Sequence, residues 1–553
     1  MSSRTVRTAA WIAAILGVVS CERGGPSPGA LATITADDLA RHTQVLASDS
    51  FEGRSPSSPG EERTIAYLQE GFSSLGLKPG NGDSYFQDVP LVSITTDPKA
   101  ATLSVAGGGR TIHLRYGPDF MGWTKRVVER VDVRASDMVF VGYGIIAPEY
   151  GWNDYDGVDV KGKTVLILVN DPGYATQDST LFTGNAMTYY GRWTYKFEEA
   201  ARQGAAAALI VHETEPASYP WEVVTGSWSG EQFDLVRADD NTSRVAVEGW
   251  VTAEVARSLA AQGGEDFDAL KAAAATRGFR PVPLSLRASL SLRNAVRRST
   301  SKNVIALLPG TTHADEYVIY MGHWDHLGMD PSLEGDQIYN GAQDNATGTA
   351  GLLVLAKAYT TLPQPPARSV VFLAVTAEEQ GLLGSAHYAA NPVFPLDHTV
   401  AAINMDVLNV YGPMRDVTVI GLGQSELDDY LRAEAALQGR RIRPDPNPAA
   451  GYYYRSDHFS FAKAGVPALY ADAGVDHVEH GEAWTREQMD AYEAQRYHKP
   501  ADEYGPNWDL RGAIDDLGLL FRVGYRLATE DTFPNWSDRS EFRAKRDAMM
   551  GPR

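Results

Sequence analysis

The spacing of apolar and polar residues changes texture three times along the chain. From about Thr35 it is helical, and residues 61–75 set Ile65, Leu68, Phe72 and Leu75 at helical spacing with Gly76 as a stop. Phe51, Glu52, Gly53 and Arg54, just before, read as a loop. A strand-rich stretch covers roughly 101–131. Near Asp137 the pattern shifts to short buried strands, at 138–145, 163–169 and 205–212, with a short helix at 197–203 closed by Gly204. From Asn303 onward strand and helix alternate. Residues 303–308, 317–321, 369–375 and 400–405 read as strands, and 349–359 and 380–390 as helices. That alternation predicts an α/β fold with a mixed, mostly parallel central sheet flanked by helices.

Length changes this picture first: 553 residues exceed one hydrophobic core, so at least two domains are expected, one inserted in the other. The formal net charge of -20 argues against a nucleic-acid partner, which would need a basic surface. The start of the chain reads as a targeting segment. Arg4 and Arg7 precede an apolar run over 9–19, too short to span a bilayer, followed by Ser20 and Cys21. Val18-Val19-Ser20-Cys21 resembles a bacterial lipobox, in which the cysteine is acylated. Cys21 is the only cysteine, so no internal disulfide forms. Residues 1–20 are then a signal peptide, and 21–33, rich in Gly and Pro, a flexible tether. An exported, lipid-anchored envelope protein is the resulting expectation, with Glu22 after the cysteine favouring the outer membrane.

The candidate chemistry lies in five strings: GHWDHLG with His323 and Asp325, GAQDNATG with Asp344, TAEEQG with Glu378 and Glu379, INMDVL with Asp406, and RYHKPADE with His498. His323, the two glutamates and Asp406 each follow an apolar run, and Asp344 precedes a helix. In open α/β sheets ligands bind beyond the carboxyl ends of the strands, so these groups can converge on one rim. Each alone has an ordinary structural explanation, such as a helix cap or a solvated helix start. Together they supply two imidazoles, three carboxylates and a spare carboxylate, the needs of a two-metal hydrolase.

Two resemblances sharpen this. The order VGYGI, DVKGKTVLILV, KFEEAARQGAAAALIVH resembles a protease-associated domain, placing such an insert at 131–296. The five strings resemble the catalytic domain of peptidase family M28, the di-zinc aminopeptidase and glutamate carboxypeptidase group. The family pattern would assign 34–130 and 297–553 to the peptidase domain. It implies two zinc ions: one held by His323, Asp344 and Asp406, the other by Asp344, Glu379 and His498, with Asp344 bridging. It implies Asp325 as the acceptor for the second ring N–H of His323, Glu378 as general base and a tyrosine near the SDH string as oxyanion donor, Tyr453 by its offset from Ser456, with Tyr452 and Tyr454 as close competitors. Adjacent Glu378 and Glu379 are expected to point apart. The Asp344–Asn345 peptide is expected to be cis.

The implied activity is an aminopeptidase acting on peptides. A carboxypeptidase or dipeptidase of the same chemistry is the alternative, because Arg455 and acidic groups are both available. A one-zinc glutaminyl cyclase and a non-enzymatic binding protein are further alternatives, disfavoured by the full ligand set. Residues 474–498, carrying His477, Glu479 and His480, read as a loop and helix over the active-site mouth.

Overall fold

The computed structural model describes residues 25–551. Two sheets organise the chain, and one strand, Val282–Leu308, runs through both. In the first sheet Arg368–Val375, His313–His323, Thr399–Asn404 and Ala468–Asp472 lie parallel, side by side in that spatial order. The C-terminal part of Val282–Leu308 and then Phe86–Thr96 extend it antiparallel on one side. Asp416–Val419 closes the other side antiparallel, followed by Arg441–Pro444. Arg368–Val375 and Thr399–Asn404 are buried along their whole length, and His313–His323 over its last six residues, as expected where helices cover both faces. Thr347–Thr360 and Arg511–Thr529 provide part of that cover, and Phe372 stacks on Tyr320 within the same core. The α/β class read from the sequence is the fold observed.

The opening helices appear as expected. In Pro59–Ser74 the residues Ile65, Leu68 and Phe72 are buried, and Gly76 at φ 79° ends the turn after it. Ser58 caps the helix by accepting from the amides of Gly60 and Glu61.

Two boundaries differ from the sequence reading. The strands Thr102–Gly107 and Phe120–Trp123 pair with 287–291 and 248–251, so the β-rich unit begins near Thr102 instead of at 131. Strand texture alone cannot say which sheet a strand joins. The return path is not simple either, because Glu231–Leu235 crosses back to pair with Phe86–Thr96 in the first sheet. The tether also ends early. Pro28–Leu31 forms a helical turn capped by Ser27, and Ala30 and Ile34 are buried in the core beside the first sheet. Cys21 and the signal residues lie outside the described residues.

Candidate metal centre

Three strand ends, the turn before Thr347–Thr360 and the segment after Gly481–Gln495 build the site. His323 is the last residue of His313–His323. Ala377, just past Arg368–Val375, takes a left-handed φ of 52° and turns the chain so that Glu378 and Glu379 follow in a bend. Asp406 follows Thr399–Asn404. Asp344 sits in the turn before Thr347–Thr360, and the Asp344–Asn345 peptide is cis. Asn345 ties this turn to the Asp406 loop: its amide donates to the Met405 carbonyl at 3.0 Å and its oxygen accepts from the Val407 amide at 3.2 Å. Gly348 lets the helix come this close, since a Cβ there would stand 2.5 Å from the Met405 carbonyl oxygen.

The five groups expected as ligands converge. His323 Nε2 lies 3.2 Å from Asp344 Oδ1 and 3.2 Å from Asp406 Oδ1. His498 Nε2 lies 3.3 Å from Asp344 Oδ2 and 3.0 Å from Glu379 Oε2. The two oxygens of Asp344 are thus divided between the two imidazoles. Donor atoms about 2.0–2.2 Å from a tetrahedral ion stand roughly 3.3–3.6 Å apart, close to the separations seen here. The donor set of imidazole nitrogen and carboxylate oxygen suits the same ion.

Glu378 joins the same cluster as His323 and Glu379, within 4.8 Å of their donor atoms. The neighbouring glutamates therefore do not point apart as expected, because the left-handed turn at Ala377 brings both carboxylates to one side. Burial, with Asp406 and Glu379 adding to it, pushes Glu378 well above the usual carboxylate range, although His323 opposes the shift. Burial acts against charge on His323, but Glu378 and Asp406 hold its pKa well above normal.

Asp325 departs from its expected role. His323 Nδ1 is 3.1 Å from the Asp325 backbone oxygen and 3.8 Å from its carboxylate, so the carbonyl is the nearer acceptor. The carboxylate instead accepts from the Glu378 amide at 3.1 Å and is pushed up to about 8 by burial.

Tyr453 does not reach the cluster. Its ring packs on His458 and Phe542, and the acids that act on it, after burial, are Glu541 and Asp428. The tyrosine at the centre is Tyr497, which stacks on His498 with ring centroids 3.9 Å apart. The side chain is partly exposed, and local desolvation and then Asp344, Glu379, Glu378 and Asp406 raise its phenol well above normal, so it stays a neutral donor. Its place directly before His498 was the available signal.

Three further groups were not singled out from the sequence. His326 Nδ1 meets Glu379 Oε1 at 2.5 Å, although it stands in the quoted GHWDHLG string. Ser456 donates to Asp406 Oδ2 at 2.6 Å. Asp502 accepts from the Gln343 and Asp344 amides at 3.1 Å each, tying the RYHKPADE segment to the Asp344 turn. The stretch expected over the mouth contains the helix Gly481–Gln495. Before it, His477 Nδ1 accepts from the amides of Glu479 and His480 at 3.0 Å each, a capping role.

A parallel sheet with this carboxylate and imidazole cluster at its carboxyl edge is the architecture of a metal-dependent hydrolase. Residues 303–521 match the model of peptidase family M28. Among characterised proteins, the chain is 33% identical over 141 residues to aminopeptidase NAALADL1 of Mus musculus, covering 24% of this chain and 17% of that protein. It is 29% identical over 276 residues to a probable glutamate carboxypeptidase of Arthroderma benhamiae, covering 47% and 35%. It is 26% identical over 219 residues to aminopeptidase YwaD of Bacillus subtilis, covering 39% and 42%. The matches therefore span well under half the length of each of these relatives. Among solved structures, an aminopeptidase from Aneurinibacillus sp. strain AM-1 aligns over 91% of this chain and 96% of its own, at 21% identity and a TM-score of 0.49.

Proposed function

We propose that the protein is a zinc-dependent exopeptidase with two ions per chain, acting as an aminopeptidase on peptide substrates. The observation that carries this is the division of the Asp344 oxygens between His323 and His498. His323, Asp344 and Asp406 would hold one ion, and Asp344, Glu379 and His498 the other. Zinc, when bound, supplies Lewis acidity, which polarises a carbonyl and eases the ionisation of water. The family match and the relatives' names support the same reading.

The chain's own groups divide the remaining work. Glu378 takes a proton from the attacking water and passes it to the leaving amine. Its carboxylate stands in the same cluster as His323 and Glu379, which suits that role. The Asp325 carboxylate fixes the Glu378 backbone. Tyr497, neutral and beside His498, donates to the carbonyl oxygen as charge develops there. Ser456 and His326 orient Asp406 and Glu379. The β-rich unit is read as a protease-associated insert that shapes access to the cleft.

A second reading has its own observation. Arg192 of the β-rich unit lies along the turn at Gly451, 3.5 Å from where a Cβ would stand, and Arg455 closes the same turn. Neither guanidinium has an ion-pair partner among the described residues, and Arg192 Nε is buried without a hydrogen bond. Such a pair fits a substrate carboxylate, as a carboxypeptidase or dipeptidase would need. Parallel assays with aminoacyl-anilides and with N-blocked peptides separate the two. Cleavage of free-amine substrates alone supports the aminopeptidase, and cleavage of blocked peptides alone supports the alternative.

Export and lipid anchoring through Cys21 remain part of the proposal, resting on the sequence at 18–21. Metabolic labelling with a radioactive fatty acid, lost in Cys21→Ser, tests them.

A further inference from the structure

Arg54 is the least expected charge in the molecule. It is 1% exposed, and no carboxylate among the described residues lies within ion-pair distance of it. Its donors go to four backbone carbonyls instead. Nε donates to Trp324 at 2.9 Å, Nη1 to Leu46 at 2.7 Å and to Asn340 at 2.6 Å, and Nη2 to Gly341 at 2.8 Å. Its own carbonyl accepts from the His326 amide at 3.3 Å. The sequence separations to Trp324, Asn340 and Gly341 are 270, 286 and 287 residues. One side chain from the opening of the chain thus joins the segment carrying His323 to the segment leading into Asp344.

The backbone is bent to deliver it. Glu52, Gly53 and Arg54 all take left-handed φ, at 49°, 63° and 51°, a conformation that costs a non-glycine residue about 1 kcal/mol or more. Gly53 presses against the neighbouring hairpin, where a Cβ would stand 2.3 Å from the Gly328 oxygen and 2.6 Å from that of Tyr339. A planar fork with fixed donor directions meets carbonyls on several sides at once, which an ammonium cannot do. Burial pushes Arg54 down to about 10, and Asp502, Asp325, Asp344 and Glu379 oppose the shift, so its charge faces the acidic cluster at longer range.

We infer that Arg54 is a positioning residue for the reaction: it clamps the His323 and Asp344 segments in register, so that the two halves of the metal centre are preorganised. The inference rests on the metallopeptidase reading, and its test keeps the two apart. Arg54→Lys retains the charge but loses the four-way fork; Arg54→Gln loses both. For each variant the measurements are zinc affinity by chelator competition, kcat and KM at saturating zinc, melting temperature, and hydrogen exchange at the amides of His326 and Asp344.

Support for a metal ligand typically carries about 10- to 100-fold in metal affinity or activity. The Lys variant is therefore expected to stay folded, bind zinc at least about tenfold more weakly and lose about tenfold or more in kcat with little change in KM. Its His326 and Asp344 amides should exchange faster. A residue that only stabilised the fold would lower the melting temperature and leave zinc affinity and kcat of the folded, loaded enzyme unchanged. A folded Lys variant with zinc affinity, kcat and amide exchange all within about twofold of wild type overturns the inference. Failure of both variants to fold assigns Arg54 to folding alone and overturns it too. Wild type that takes up no zinc counts against the metallopeptidase reading instead, and the exchange data still decide whether the clamp exists.

Discussion

Asp344 and His498 meet through the second oxygen of the carboxylate, Oδ2 at 3.3 Å, while the first faces His323 at 3.2 Å. The five groups form one centre through this single side chain. A carboxylate that touched only one imidazole would leave two separate acid–base pairs, which are common on protein surfaces.

Glu378→Gln should keep the metal content of the wild type and lose activity by about two to four orders of magnitude, because it removes a proton acceptor and no ligand. Zinc analysis alongside initial rates on an aminoacyl-anilide checks both halves. Loss of zinc together with activity would make Glu378 a ligand.

Tyr497→Phe removes one hydroxyl beside His498. Loss of a single oxyanion donor costs about 10²- to 10³-fold in kcat. The same change at Tyr453, whose ring lies on Phe542 away from the cluster, should alter kcat by less than about threefold. Steady-state kinetics of the two variants side by side would show the reverse order if Tyr453 were the donor.

Glu541 sits where the two sheets' units meet, accepting from the Tyr454 hydroxyl at 2.9 Å and the Tyr189 amide at 3.4 Å. Burial pushes it up to about 7 from 4.5. A carboxyl raised in the folded state contributes fully below its unfolded pKa, and that contribution is lost as pH rises through about 7. Stability should therefore fall between about pH 4.5 and 7 by on the order of 2 kcal/mol from this group, given about 1.4 kcal/mol per pKa unit and some access to solvent. Glu541→Gln should flatten that part of the pH dependence of unfolding, and an unchanged slope would remove Glu541 as its source.

Ile34 lies just past the expected tether yet is 5% exposed in the peptidase core. Ile34→Ala should destabilise the protein by about 2–4 kcal/mol. A free tether would give no change in denaturant midpoint.

The legible part of this protein was the part in which local sequence and chemistry coincide. His323, Asp406 and the glutamate pair stand at the ends of apolar runs, so the strand rule put them on one rim before any contact was seen. The helix over 61–75 showed its apolar stripe, and Ile65, Leu68 and Phe72 are indeed buried. What stayed hidden depends on chain reversal and on long-range partners. Ala377 carries no sign of its left-handed turn, so Glu378 and Glu379 were read as diverging. Tyr453 and Tyr497 are both tyrosines in promising strings, and only the packing of one on Phe542 and the other on His498 separates them. Thr102–Gly107 could have joined either sheet, and its pairing with Val282–Leu308 spans 181 residues at the nearest, between Ala106 and Arg287. Arg54 read as part of a loop because its four acceptors are backbone carbonyls, which no side-chain pattern announces.

The central claim is a two-ion centre bridged by Asp344. The most direct test is bound zinc per chain, by elemental mass spectrometry on desalted protein, for wild type, Asp344→Ala and Asp406→Ala. The account predicts about two ions in the wild type, about one in Asp406→Ala and almost none in Asp344→Ala, since only Asp344 serves both positions. A wild type holding one ion, or an Asp344→Ala variant that keeps two, would contradict it.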